Sequence, residues 1–228
     1  MSLNRDRCFS VLSMATLLVM FVATTPVSGK DAPSKAVELF NGHDLKGWTY
    51  HLDDPNVKME DVWSVKDGVL RCKGKPVGYL KTTKDDFENY VLTVEWRWPE
   101  KGGNNGVLVH VTTPGALGVW PKCLEVQLAD KEAGDFWVIG TTLEIEHPEG
   151  RIEDRRHKNL TDGSEKPLGE WKTMEITCRD DEITVKVNGE LVNHATKLSQ
   201  SKGAIALQSE GTPIEYRKVE LRPLAEKK

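Results

Sequence analysis

Glu125 and Gln127 stand two residues apart in CLEVQLAD, a run otherwise built from apolar strand formers. Side chains alternate between the two faces of a strand, so both project to one side, opposite Leu124, Val126 and Leu128. An ionisable carboxyl among such neighbours is costly to desolvate, which makes Glu125 the first candidate for acid–base work. An amide at position 127 is neither acid nor base near neutrality, but it can orient a hydroxyl. His110 lies among valines in GVLVHV, and Glu95 and Arg97 share one face of NYVLTVEWRW. If these three runs are neighbours in one sheet, Glu95, Arg97, His110, Glu125 and Gln127 form a polar floor. On that floor Glu125, His110 and Arg97 are the catalytic candidates. Glu95, Gln127, Trp137 and Glu210 are the substrate-binding ones. The structural alternatives are a Glu95–Arg97 salt-bridge network on a solvated face and a His110 held purely for packing.

The elements that must position these groups are strands. VWSVKDGVLRC has the Asp-Gly turn of a hairpin, and EITVKVNGELVNHA has an Asn-Gly turn. WKTMEITCRDD, GAIALQSEG and IEYRKVELRPL extend the series, and no run of ten or more residues after the N-terminal segment has helical periodicity. Short strands with turn chemistry between them predict an all-β sandwich of two antiparallel sheets. The segment 137–170, rich in charge, Gly and Pro, reads as a long functional or irregular loop. Its RIEDRRH charges read as a solvated face, with binding as the alternative.

The 228-residue chain opens with Arg5 and Arg7, then CFSVLSMATLLVMFVATT and the small residues Val27-Ser28-Gly29. That pattern predicts a signal peptide over 1–29, a polar linker over 30–36 and one domain over 37–224, hence an exported protein. The competing reading is a membrane anchor, because the apolar run nearly reaches the ~20 residues a span needs. After processing, no stable membrane insertion is expected. The net charge of −4, without a basic cluster, argues against nucleic acid and against an anionic membrane surface. Cys72, Cys123 and Cys178 follow the leader, and their odd number permits at most one disulfide. They read as small core side chains. The histidines form no spaced ligand set, so no cofactor is identified, although acidic loops leave room for a divalent cation such as calcium.

ELFNGHDLKGW, NNGVLVHV, CLEVQLAD followed by AGDFW, and the ending GAIALQSEG…YRKVELRPL together resemble the 3-keto-disaccharide hydrolase family over about residues 36–224. The final third also resembles the concanavalin-like jelly rolls of laminin-G domains and bacterial glucanases. The resemblance implies a jelly-roll fold and a glycoside whose C3 hydroxyl has been oxidised to a ketone. That ketone acidifies the C2 hydrogen, so a base can form an enolate and expel the C1 substituent, after which water adds. Glu125 or His110 would be the base, and Arg97, His110 or a divalent ion would stabilise the enolate. A sugar oxidoreductase would have to supply the substrate. Two other readings stand beside this one. A conventional glucanase needs a carboxyl pair, and Gln127 stands where its second carboxylate would be expected, with Asp130 further on. A non-catalytic carbohydrate-binding module would use Trp and Tyr as stacking platforms.

Overall fold

A computed structural model of the protein describes residues 35–161 and 163–225. The expected signal peptide lies outside the described residues.

In chain order the elements begin with β1 (Val37–Glu38), β2 (Trp48–Leu52), the single turn α1 (Met59–Val62), β3 (Trp63–Lys66), β4 (Val69–Cys72) and β5 (Gly78–Thr82). They continue with β6 (Tyr90–Arg97), β7 (Gly106–Val111), β8 (Cys123–Gln127), β9 (Phe136–Ile139), β10 (Glu144–Ile145), β11 (Ile152–Glu153) and β12 (Arg156–His157). The last five are β13 (Lys172–Arg179), β14 (Glu182–Val187), β15 (Glu190–Thr196), β16 (Ala204–Ser209) and β17 (Ile214–Pro223). All pair antiparallel, in two sheets. The first runs β10-β15-β14-β13-β6-β17-β4-β3, with β1 also on β17, and the second runs β11-β12-β9-β8-β7-β16-β5-β2.

Alternation explains the layers. In β6, Tyr90, Leu92, Val94 and Trp96 are fully buried, while Val91, Thr93, Glu95 and Arg97 between them are only partly covered. They join Val107 and Val109 of β7, Leu124 and Val126 of β8 and Leu207 of β16 in one core between the sheets. The hairpins turn where the sequence predicts. Asp67-Gly68 and Asn188-Gly189 both adopt positive φ, the backbone that matches strand twist across a two-residue turn.

The second sheet is also covered on its outer face. Tyr79, Leu108, Val111, Cys123, Ile139, Ala204 and Ala206 form a separate apolar cluster there, with Trp120 packed against it. Trp120 comes from the loop between β7 and β8. That loop is closed by Thr112 N–H donating to Lys122 C=O (3.0 Å) and Lys122 N–H to Thr113 C=O (2.7 Å). Hence β7 and β8 are buried on both faces, and any polar group on that outer face sits in a sheltered site. Cys72, Cys123 and Cys178 are buried free thiols.

Candidate active site

The expected single floor does not form. β6 pairs with β13 and β17 at the centre of the first sheet, whereas β7 and β8 belong to the second. Glu95 and Arg97 therefore lie on the far side of the sandwich. Arg97 pairs with Glu215 (Nη2–Oε2 2.6 Å), Arg71 meets the other oxygen of Glu215 (Nε–Oε1 2.9 Å), and Glu95 pairs with Arg217. Arg97 and Arg217 lie over the ring of Trp171, with guanidinium carbons 4.6 and 4.7 Å from its centroid. This is the salt-bridge network of the structural alternative, and it removes Arg97 and Glu95 from the site.

His110 is displaced by a different cause. Where β7 meets β16, Leu108 pairs with Ala206 and Val111 with Ala204, so Ile205 alone opposes Val109 and His110. This bulge places His110 at φ 55° and reverses the alternation beyond it. Val111 joins the outer cluster, and the His110 ring packs edge-on against the core residue Tyr90, centroids 6.1 Å apart. His110 is 1% exposed and takes no part in the Glu125 cavity, and its ring finds only a weak backbone contact at Gln200, short of regular hydrogen-bond geometry. Burial drives its pKa down to about 4, so the ring is neutral at physiological pH. It is a packing histidine.

The other four candidates do converge. Glu125, Gln127, Trp137 and Glu210 line one cavity of about 110 Å³ on the outer face of the second sheet, together with Trp120, Arg155 and Asn104. Glu125 and Gln127 project there because Leu124 and Val126 fill the core side of β8. Glu125 faces Trp137 across the β8–β9 ladder. Glu210 follows the end of β16 and is drawn in where Asn104 bridges Gly211. Arg155 sits at the turn of the β11–β12 hairpin. Its carbonyl accepts from Val138 N–H (2.9 Å), and its guanidinium carbon lies 5.5 Å from the Trp137 ring centroid.

Glu125 is 6% exposed. Burial, reinforced by the charge of Glu210, pushes its pKa up to about 8, while Gln208 and Arg155 pull the other way. Burial raises Glu210 as well. The site thus holds a sheltered carboxyl that keeps its proton near neutrality, beside a second carboxyl and a guanidinium. Such a set can move a proton and stabilise negative charge on a nearby oxygen.

Two further residues shape it. Gly106 lies on the β7 backbone between Glu125 and Gln208, and a Cβ there would come within 2.6 Å of Glu125 Oε1 and 2.8 Å of Gln208 Oε1. The Gln208 carboxamide is 1% exposed and lies beside the Glu125 carboxyl, close enough to lower its pKa yet short of regular hydrogen-bond geometry. Its backbone is fixed from behind. Asn105 donates from Nδ2 to Gln208 C=O (3.0 Å), and its Oδ1 accepts from Gly106 N–H (3.0 Å) and from the Tyr216 hydroxyl (2.7 Å).

The sequence alone passes over Arg155, Gln208, Trp120 and Gly106. Arg155 sits inside a charged stretch that reads as solvated; its neighbour Arg151 hydrogen-bonds Asn193, Arg156 pairs with Asp135, and Arg155 itself lies 3.7 Å from Asp154. Among the described residues no cluster of three or more His, Cys, Asp or Glu has the spacing of a metal site.

Residues 35–222 match the 3-keto-alpha-glucoside-1,2-lyase-like domain. The chain belongs to that family. No curated protein matches it. Among solved structures it is similar to two proteins of Parabacteroides distasonis ATCC 8503, each provisionally described as a glycosyl hydrolase. One is 23% identical over 83% of this chain and all of the other, with TM-score 0.59. The second is 21% identical over 83% and 94%, with TM-score 0.61. The carbohydrate-binding module CBM66 of Bacillus subtilis, 9% identical over 76% and 94%, has TM-score 0.53. At these identities the likeness establishes a shared fold alone.

Proposed function

We propose that this chain is an exported glycoside-cleaving enzyme that acts on 3-keto-glycosides. The observation that carries this reading is the Glu125 carboxyl, buried in a small cavity and tuned to hold a proton up to about pH 8. A base of that strength suits removal of a C2 hydrogen acidified by a neighbouring ketone. Glu125 takes the C2 proton, and the electron pair passes to the C3 oxygen as an enolate opposed by the Arg155 guanidinium. When the carbonyl re-forms, a C1–C2 double bond forms and the C1–O bond breaks. The proton held by Glu125 passes to the leaving oxygen, and water then adds to the enone at C1. Glu210 keeps Glu125 basic by its charge and offers an acceptor to a sugar hydroxyl.

Membership of the 3-keto-alpha-glucoside-1,2-lyase-like family supports the substrate class. The cavity, about 110 Å³, is small beside the 300–1,000 Å³ of common ligand pockets, so a sugar would place only its reacting edge in it, with the rest of the ring and the leaving group outside. The leader-like residues 1–29 support export. A sugar oxidoreductase must make the ketone first.

The test is incubation with matched oxidised and unoxidised disaccharides, followed by product analysis. Release of free 3-keto-sugar from the oxidised substrate only, abolished in Glu125→Gln, is the expected result. Cleavage of the unoxidised sugar would indicate a conventional hydrolase, and binding without turnover a carbohydrate-binding module.

A further inference from the structure

Gln127 has one orientation, and it is fixed by the backbone. Its Oε1 accepts from Ala129 N–H (3.0 Å) and shares Leu128 N–H (3.0 Å) with the Asn105 carbonyl (2.8 Å). Only an oxygen can meet two N–H donors, so the carboxamide cannot flip. Its Nε2 makes no hydrogen bond within the protein, although the residue is 3% exposed and lines the Glu125 cavity. An amide fixed in place that has spent its acceptor and keeps its donors toward a cavity is set to meet an acceptor from outside.

We infer that Gln127 is the specificity-determining residue of the cavity, presenting a fixed N–H pair that selects a keto oxygen over a hydroxyl at the reacting ring. The inference rests on the 3-keto-glycoside reading and adds the residue that enforces it. A ketone oxygen accepts and has no proton to place. A hydroxyl in the same position must donate its proton somewhere. Arg155 has no acceptor to offer, because a guanidinium is donor-only. The acceptors lining the cavity are Asn104 and the carboxyls of Glu125 and Glu210, and a hydroxyl that donates to Glu125 engages the base that would take the C2 proton. The unoxidised sugar is held without the C2 acidity that the reaction uses, and in part by the base itself. The ketone fits without tying up the base.

The same two backbone bonds provide the test. In Gln127→Glu, one carboxylate oxygen can still accept from Leu128 and Ala129, which holds the group ionised, and the other oxygen replaces the donors with an acceptor. Binding of a 3-keto-disaccharide and of its unoxidised parent would be measured by calorimetry on both forms, with turnover of each sugar recorded alongside. Wild type should favour the keto sugar at least roughly tenfold, and Gln127→Glu should abolish or reverse that preference. Gln127→Met, of similar length and without donors, should lose the preference without gaining affinity for the parent sugar, and it keeps the test open should the charged variant fail to fold. If wild type turns over the keto sugar and both variants keep its preference, the inference falls and the proposed function stands. If wild type neither binds nor converts the keto sugar, both fall.

Discussion

Glu125 and Gly106 are diagonal neighbours on the β7–β8 ladder, where Gly106 pairs with Gln127 and Glu125 with Leu108, and the carboxyl of Glu125 occupies the space a side chain on Gly106 would need. A Cβ at position 106 would lie 2.6 Å from Glu125 Oε1 and 2.7 Å from its Cγ. Gly106→Ala is thus expected to push the carboxyl out of its sheltered position. kcat should fall by tenfold or more, with the circular dichroism of the sandwich retained, and steady-state kinetics on a 3-keto-disaccharide checks it. Gly106→Val should be more severe in the same assay.

The pKa of Glu125 sets the pH dependence. A base must be ionised to accept a proton, and this one keeps its own up to about pH 8. kcat/KM should therefore rise with pH, about tenfold per unit well below 8, and level off above it. Glu210 is the second cause of the shift after burial, so Glu210→Gln should move that limb to lower pH without bringing it down to an ordinary glutamate value. A pH–rate profile unchanged by Glu210→Gln would show that the two carboxyls do not interact.

His110 gives a stability prediction rather than a catalytic one. Its folded pKa of about 4 lies below the ordinary 6.5, so burial favours the neutral ring. The contribution is fully present above pH 6.5 and is lost as pH falls toward 4, at up to about 1.4 kcal/mol per unit. His110→Asn keeps a residue tolerant of φ 55° and removes the titration. Urea denaturation between pH 7 and 4 should show a flatter decline for this variant than for wild type. Turnover at pH 8 should stay within about threefold of wild type. Arg97→Gln, on the far sheet, should likewise leave turnover in that range.

The strands and their turns were legible because they depend on near neighbours. The alternation in Tyr90–Arg97 and Lys172–Arg179, and the Asp-Gly and Asn-Gly turns, need only a short window of sequence. Glu125 and Gln127 were legible for the same reason, as polar side chains on one face of an apolar strand. Sheet membership was not. Nothing within VLTVEWRW says that its partners are β13 and β17, more than seventy residues away, and so Glu95 and Arg97 were placed on the wrong layer. Nor does GVLVHV announce its bulge. The reversal at His110 accompanies the close approach of Gly203, where a Cβ would sit 2.4 Å from the His110 carbonyl carbon. Gln208 was hidden in the run AIALQS, where one amide among apolar residues signals little until Gly106 is found beside it.

The most direct measurement follows the hydrogen at C2. A 3-keto-disaccharide deuterated at that carbon, turned over in ordinary water, should release a 3-keto-sugar that has exchanged its label with solvent. The same substrate should be cleaved more slowly than the protiated one when proton removal limits the rate. Because the keto product can exchange by itself, a non-enzymatic control is subtracted. A released sugar that keeps its C2 deuterium, formed at the same rate from both substrates, would contradict elimination through Glu125 and point to direct hydrolysis at C1.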